Sequence, residues 1–123
     1  MDVVNRGQVR AFITKDTSTI RELLAPRNSV IQRQSLAEAT LAPGAQTDAH
    51  FHPGTEEIYY VLSGEGLMAV EHEHRTVVPG DAIAIPPGAR HQIRNTGMTD
   101  LVFLCCCVPA YTDDDTVMCA SLL

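Results

Sequence analysis

Two histidines two residues apart, His50 and His52, are the first side chains in this chain able to act on one partner together. On an extended strand such residues point to the same face, so both imidazoles can reach one metal ion. Carboxylates follow at Glu56 and Glu57, after the turn Pro53-Gly54-Thr55. A third histidine, His91, comes after a Pro86-Pro87-Gly88 turn and so lies on a separate strand. Three imidazoles and one carboxylate suit one divalent Mn, Fe, Ni, Zn or Cu ion. On an octahedral ion this set leaves two positions for water, substrate or oxygen, and such openness separates a working metal from a structural one. Imidazole binds through an unprotonated nitrogen, so metal loss is expected below about pH 6.

Strand parity extends the set. Tyr59 shares a face with Glu57 and is a candidate catalytic acid or substrate-orienting hydroxyl. Gln46 and Asp48 share parity with His50 and His52, and Ile93 with His91, which places an apolar patch beside the metal. Arg90 and Arg94 have the opposite parity from His91 and are expected to face outward. The second His-x-His, His72 and His74, sits in Glu-His-Glu-His and reads as an exposed hairpin turn. Cys105, Cys106 and Cys107 are consecutive and Cys119 stands apart, which fits neither a disulfide framework nor a Cys-x-x-Cys zinc site. They are expected to be reduced thiols, largely buried in a C-terminal strand; the alternative reading is that one of them faces an active-site cavity.

These side chains need strands to position them. Gly and Pro punctuate the chain, and the runs between them have strand length: Gln34 to Leu41, Gln46 to Phe51, Glu57 to Leu62, Leu67 to Glu71, Arg75 to Val78, Ala82 to Ile85, Arg90 to Arg94 and Leu101 to Val108. Many short strands with turn signals predict a β-sandwich or barrel. One segment, about Thr19 to Ala25, reads as a short helix: Thr19 and Glu22 have capping-box spacing, Ile20, Leu23 and Leu24 share a face, and Pro26 stops it. Asp115 or Thr116 is a candidate cap for a last short helix.

Composition narrows the function. The chain has 123 residues, 45% hydrophobic and 20% charged, which describes a folded domain rather than a disordered chain. Nine basic against fifteen acidic residues give a net charge of −6, which argues against nucleic acid and anionic membrane surfaces as partners. No apolar run reaches the roughly 20 residues a membrane span needs, and the N-terminus lacks the apolar core of a secretory signal. The expected location is cytoplasmic.

The spacing around the histidines carries a family resemblance. Gly44, five residues, His50-Phe51-His52, four residues, Glu57, six residues and Gly64 resemble the first cupin signature. Gly80, five residues, Pro86, one residue, Gly88, two residues, His91, three residues and Asn95 resemble the second. The resemblance implies one cupin domain over residues 1–123: an all-β jelly-roll barrel with motifs at 44–64 and 80–95, preceded by a strand and short helix in residues 1–33. It implies His50, His52, Glu57 and His91 as metal ligands, with Glu57 preferred over Glu56 because a one-residue slip flips a strand side chain. Asn95 is expected to tie down a loop. The ending around Cys107, Pro109, Tyr111, Asp115 and Thr116 is similar to small cupins described as mannose-6-phosphate-isomerase-like.

Two functions follow. The first is a metal-dependent small-molecule enzyme: an isomerase, epimerase or lyase, or with iron a dioxygenase. The second is a non-catalytic module that binds a small ligand or is stabilised by metal. The complete ligand set favours the first. A sugar-phosphate isomerase is disfavoured, since phosphate recognition calls for clustered Arg or Lys and Lys15 is the only lysine. By the same resemblance the chain is expected to form a homodimer, with Val9 to Ile13 able to pair across the interface.

Overall fold

Short β-branched and apolar runs between Gly and Pro favour strands. The computed structural model, which describes residues 1–123, contains eleven of them and a single 3-10 turn at Arg6–Gln8. In chain order they are β1 (Phe12–Ile13), β2 (Thr19–Leu24), β3 (Ser35–Leu41), β4 (His50–Phe51), β5 (Glu56–Ser63), β6 (Gly66–Val70), β7 (Glu73–Val77), β8 (Ala82–Ile85), β9 (His91–Asn95), β10 (Leu101–Val108) and β11 (Val117–Met118). One sheet runs β1-β2-β3-β10-β5-β8 and the other β11-β4-β9-β6-β7, with every pairing antiparallel. The two sheets make the expected all-β jelly-roll barrel. No helix is long and apolar enough to cross a membrane.

Inward residues alternate along the central strands. In β5 Glu57, Tyr59 and Val61 are buried while Glu56, Ile58, Tyr60 and Leu62 are exposed. They oppose Cys107, Cys105 and Phe103 of β10 in register. Met68, Ile93, Ile85, Leu101 and Phe103 pack with Tyr59 and Val61 into one core that fills the barrel below the histidines. Apolar burial of this kind is worth roughly 25 cal/mol per Å².

The β5–β6 corner requires glycine. Gly64 has φ +84°, and a Cβ there would stand 2.5 Å from the Asp100 carbonyl oxygen. Asn95 is the tie expected of it: its side-chain amide donates to the carbonyls of Leu41 (2.9 Å) and Thr99 (2.8 Å) and accepts the Gly97 N–H (2.9 Å).

Three expectations are corrected. Thr19 to Ala25 is no helix, since Thr19–Leu24 is strand β2, paired with β3. An isolated helix that short is not stable in water, whereas β3 offers a full row of backbone partners. The register shifts between Glu22 and Leu24, and the bulge places the apolar residues at spacings that imitate a helical face. Nor does a helix close the chain. Asp113 to Thr116 form a turn, and Val117–Met118 pairs with β4. Finally, the stretch from Gln46 is irregular until His50, so Thr47 is buried and Asp48 is exposed. Gln46 accepts a hydrogen bond from Arg94 Nε (2.9 Å).

Candidate metal centre

The barrel brings two imidazoles from one sheet, and a third from just past the end of β4, against one carboxylate from the other sheet. His50 of β4 lies directly opposite His91 of β9 in register. His52 follows two residues later, and the Pro86-Pro87-Gly88 turn is fastened to it by Gly88 N–H donating to the His52 carbonyl at 2.8 Å. Glu57 reaches in from β5. All four are at most 5% exposed.

Each imidazole is held by its Nδ1. In His50 this atom lies 2.8 Å from the Asp48 carbonyl, and in His91 3.0 Å from the Ala89 carbonyl. In His52 it lies 3.2 Å from both the Asp115 carbonyl and Thr116 Oγ1, whose own hydrogen goes to the Thr112 carbonyl. These oxygens accept, so every Nδ1 carries the proton and every Nε2 keeps a lone pair. One ring nitrogen from each of the three lies within 4.8 Å of the others, close enough to share a metal ion. Such outer partners fix the tautomer and aim of metal-binding histidines.

Glu57 Oε1 sits 3.5 Å from His52 Nε2 and 3.3 Å from His91 Nε2. Yet Glu57 Oε1 and His91 Nε2 are both buried without a hydrogen-bond partner. Two facing, unsatisfied acceptor atoms in a buried site are costly, and a cation shared between their lone pairs removes the cost. The residues present therefore fit a divalent metal ion. Glu57 Oε2 is occupied by the thiol of Cys107, which donates at 3.0 Å.

Electrostatics prepare the set. Burial pushes the Glu57 carboxyl up, but His52 and His91, which face it through Nε2 and favour its charge when protonated, outweigh burial and hold it well below the usual carboxylate range. Burial and the neighbouring His91 push His50 down. For His52 burial acts downward too, but Glu57 and the Asp115 carbonyl prevail and raise it. Tyr59 is buried, with its ring 5.8 Å from that of His91. Burial and the Glu57 charge push its hydroxyl well above the ordinary range, so it keeps its proton.

The remaining sequence candidates divide cleanly. Glu56 is exposed, as are His72 and His74. Gln46 and Asp48 do not line the cavity, because the irregular approach to His50 breaks the parity that placed them there. Arg90 faces outward and clasps Glu71, with Nη2 2.7 Å from Oε2. Cys105 and Cys107 line the cavity while Cys106 does not, and no disulfide forms. Sequence reasoning missed Asp16, and it singled out Tyr111, Asp115 and Thr116 without placing them at the site. Asp16 lies in the β1–β2 turn with Oδ2 3.8 Å from His50 Nε2. Tyr111 stacks edge-on to His52 at 5.7 Å.

This geometry agrees with a sequence comparison: the family model described as "Cupin domain" matches residues 37–107, more than half of the chain. The chain belongs to the cupin family. An uncharacterized protein of Methanocaldococcus jannaschii is 47% identical over 109 residues, covering 89% of this cupin and 87% of that protein. The oxalate-binding protein of Thermotoga maritima is 41% identical over 68 residues, covering 55% of this cupin and 56% of its relative. Among solved structures, the polyketide cyclase RemF of Streptomyces resistomycificus superposes with a TM-score of 0.83 at 26% identity, covering 98% of this cupin and 87% of that chain. The last two are named for a ligand and for a different reaction, so membership fixes the barrel and leaves the chemistry to the site.

Proposed function

We propose that this cupin holds one divalent transition-metal ion on His50, His52, His91 and Glu57 and acts there on a small molecule, as an isomerase, epimerase or lyase. The observation that carries the reading is the buried, unpartnered pair Glu57 Oε1 and His91 Nε2, set among imidazoles whose Nδ1 atoms are all engaged. When bound, the ion supplies Lewis acidity toward a carbonyl or enediolate, or with iron the redox chemistry of a dioxygenase.

The chain's own residues supply the rest. Glu57 stays anionic because His52 and His91 favour its charge. Tyr59 remains protonated and lines the same cavity, so it orients or protonates an oxygen of the substrate. Phe103 packs on the Tyr59 ring at 4.6 Å and fixes it. The name of the Thermotoga maritima relative favours a second reading, a module that binds a small ligand without turnover. Four free thiols fit a reducing, cytoplasmic setting, and a homodimer is the proposed assembly.

The test is metal content, measured by mass spectrometry on protein purified without a tag or chelator. The expected result is about one equivalent of Mn, Fe, Ni, Zn or Cu per chain, lost in His52→Ala and His91→Ala. No uptake even after reconstitution overturns the metal reading and leaves the binding module.

A further inference from the structure

Asp16 is a cavity carboxylate that neither motif contains, and what it does rests on, and deepens, the metal-site reading. Its Oδ1 accepts the Thr14 hydroxyl at 2.7 Å, the Ser18 N–H at 3.0 Å and the Ser18 hydroxyl at 2.6 Å. Three donors on one oxygen fix the plane of the carboxylate. Oδ2 is left free toward the cavity, 3.8 Å from His50 Nε2. The turn itself is fastened to the segment that carries His50, because the Asp16 carbonyl accepts the Asp48 N–H at 2.8 Å. The next residue, Thr17, has φ +73°. A β-branched residue holds that conformation only where its surroundings impose it. Asp16 is therefore placed by the fold.

The charge of the cavity has one sign. Its lining contains Asp16, Glu22 and Glu57 and neither lysine nor arginine. Glu22 is already paired with Arg27, which lies mostly in solvent. Asp16 and Glu57 then match the two charges of a divalent ion, and nothing remains to receive a second pair of negative charges. The other walls are apolar or hydroxylic, among them Phe12, Ile20, Phe103 and Tyr111.

We propose that Asp16 determines specificity: its Oδ2 accepts a hydrogen bond from an uncharged ligand carrying an O–H or N–H donor, and its charge turns away small dianions. The cavity thus takes neutral, partly apolar small molecules, and the ligand for which the oxalate-binding relative is named does not carry over.

The experiment titrates oxalate, oxamate and oxamide into Co(II)-reconstituted protein, wild type and Asp16→Asn, by calorimetry. The three ligands share one planar frame and carry two, one and no negative charges. Wild type is expected to bind oxalate no more tightly than oxamate. Asp16→Asn keeps an oxygen for the turn and is expected to gain about tenfold or more in oxalate affinity, since it loses a unit charge a few ångströms away. Oxamate should gain less, and oxamide, whose N–H loses its acceptor when Oδ2 becomes an amide nitrogen, should bind more weakly. Wild type binding oxalate more than about tenfold tighter than oxamate, with no gain in the variant, overturns the proposal. If Asp16→Asn does not fold, the wild-type order decides alone. Cobalt stoichiometry and the visible Co(II) spectrum report the metal site separately. Full cobalt uptake without charge discrimination removes only the role of Asp16, whereas no cobalt uptake removes the metal reading and this one with it.

Discussion

Cys107 holds one oxygen of Glu57 while the other faces the histidines, so Cys107→Ala should weaken metal binding without removing a ligand. The thiol donates to Glu57 Oε2 at 3.0 Å from a position 2% exposed. Burial and the Glu57 charge push its pKa up, so it is a protonated donor at neutral pH. A hydrogen bond to a charged acceptor is worth about 1.5–3 kcal/mol. A thiol is a weak donor, so the lower end applies. At about 1.4 kcal/mol per decade, the expected loss in metal affinity is roughly tenfold, at the lower edge of what outer-sphere partners of metal ligands contribute. Chelator competition at pH 7.5 measures it, with the melting temperatures of the metal-free proteins as a folding control. Cys107→Ser restores a donor and should recover most of the loss. Alanine within a factor of about two of wild type, or serine as weak as alanine, would refute the positioning role.

Gly64→Ala should cost about 2–4 kcal/mol by denaturant melting, because it adds a left-handed residue to a Cβ clash 2.5 Å from the Asp100 carbonyl; a loss below about 1 kcal/mol would mean the corner can shift. Metal affinity should fall as pH drops. His52 is raised and His50 lowered, so the first proton to compete enters at His52, and affinity then declines about tenfold per pH unit; a flat profile from pH 8 to 5 contradicts the ligand set. In the metal-free protein the lowered Glu57 contributes stability that is present above its unfolded pKa of 4.5 and lost as pH falls through its folded value; acid melts of Glu57→Gln should lack that loss. Sedimentation should give a dimer mass, since Ile58 (50% exposed), Tyr60 (43%) and Leu62 (43%) line one outer sheet face; a wild-type monomer at micromolar concentration refutes it.

The convergence of these side chains is readable because strand parity is a local property. His50 and His52 share a face by spacing alone, and Glu57, Tyr59 and Val61 alternate inward as their run predicts. Parity failed where the chain is not a regular strand. Gln46 and Asp48 were placed inside on the assumption of an unbroken strand, but only His50–Phe51 pairs as one. Thr47 goes inward instead, and its hydroxyl accepts the Ile93 N–H at 3.1 Å. The segment at Thr19 failed for a related reason. A bulge changes side-chain spacing, and whether Ile20 and Leu24 face a sheet or a helix groove is decided by β3, which lies outside any local window.

The supports of the site divide along the same line, and the division has a physical origin. His50 and His91 are pinned by carbonyls two residues earlier, Asp48 and Ala89, in the segments that lead into their strands. Those bonds are local to the chain around each histidine. His52 and Glu57 have no such local partner. His52 depends on Asp115 and Thr116 at the other end of the chain, and Glu57 on Cys107 across a strand pair. Two of the four side chains are thus oriented by contacts local in the chain and two by closure of the barrel. His52 is also the imidazole whose proton affinity is raised, through Glu57 and Asp115, so its readiness for metal is set by contacts that exist only in the closed fold. The donor atoms can be counted in the sequence, but the orientation that makes them one site is a product of tertiary structure.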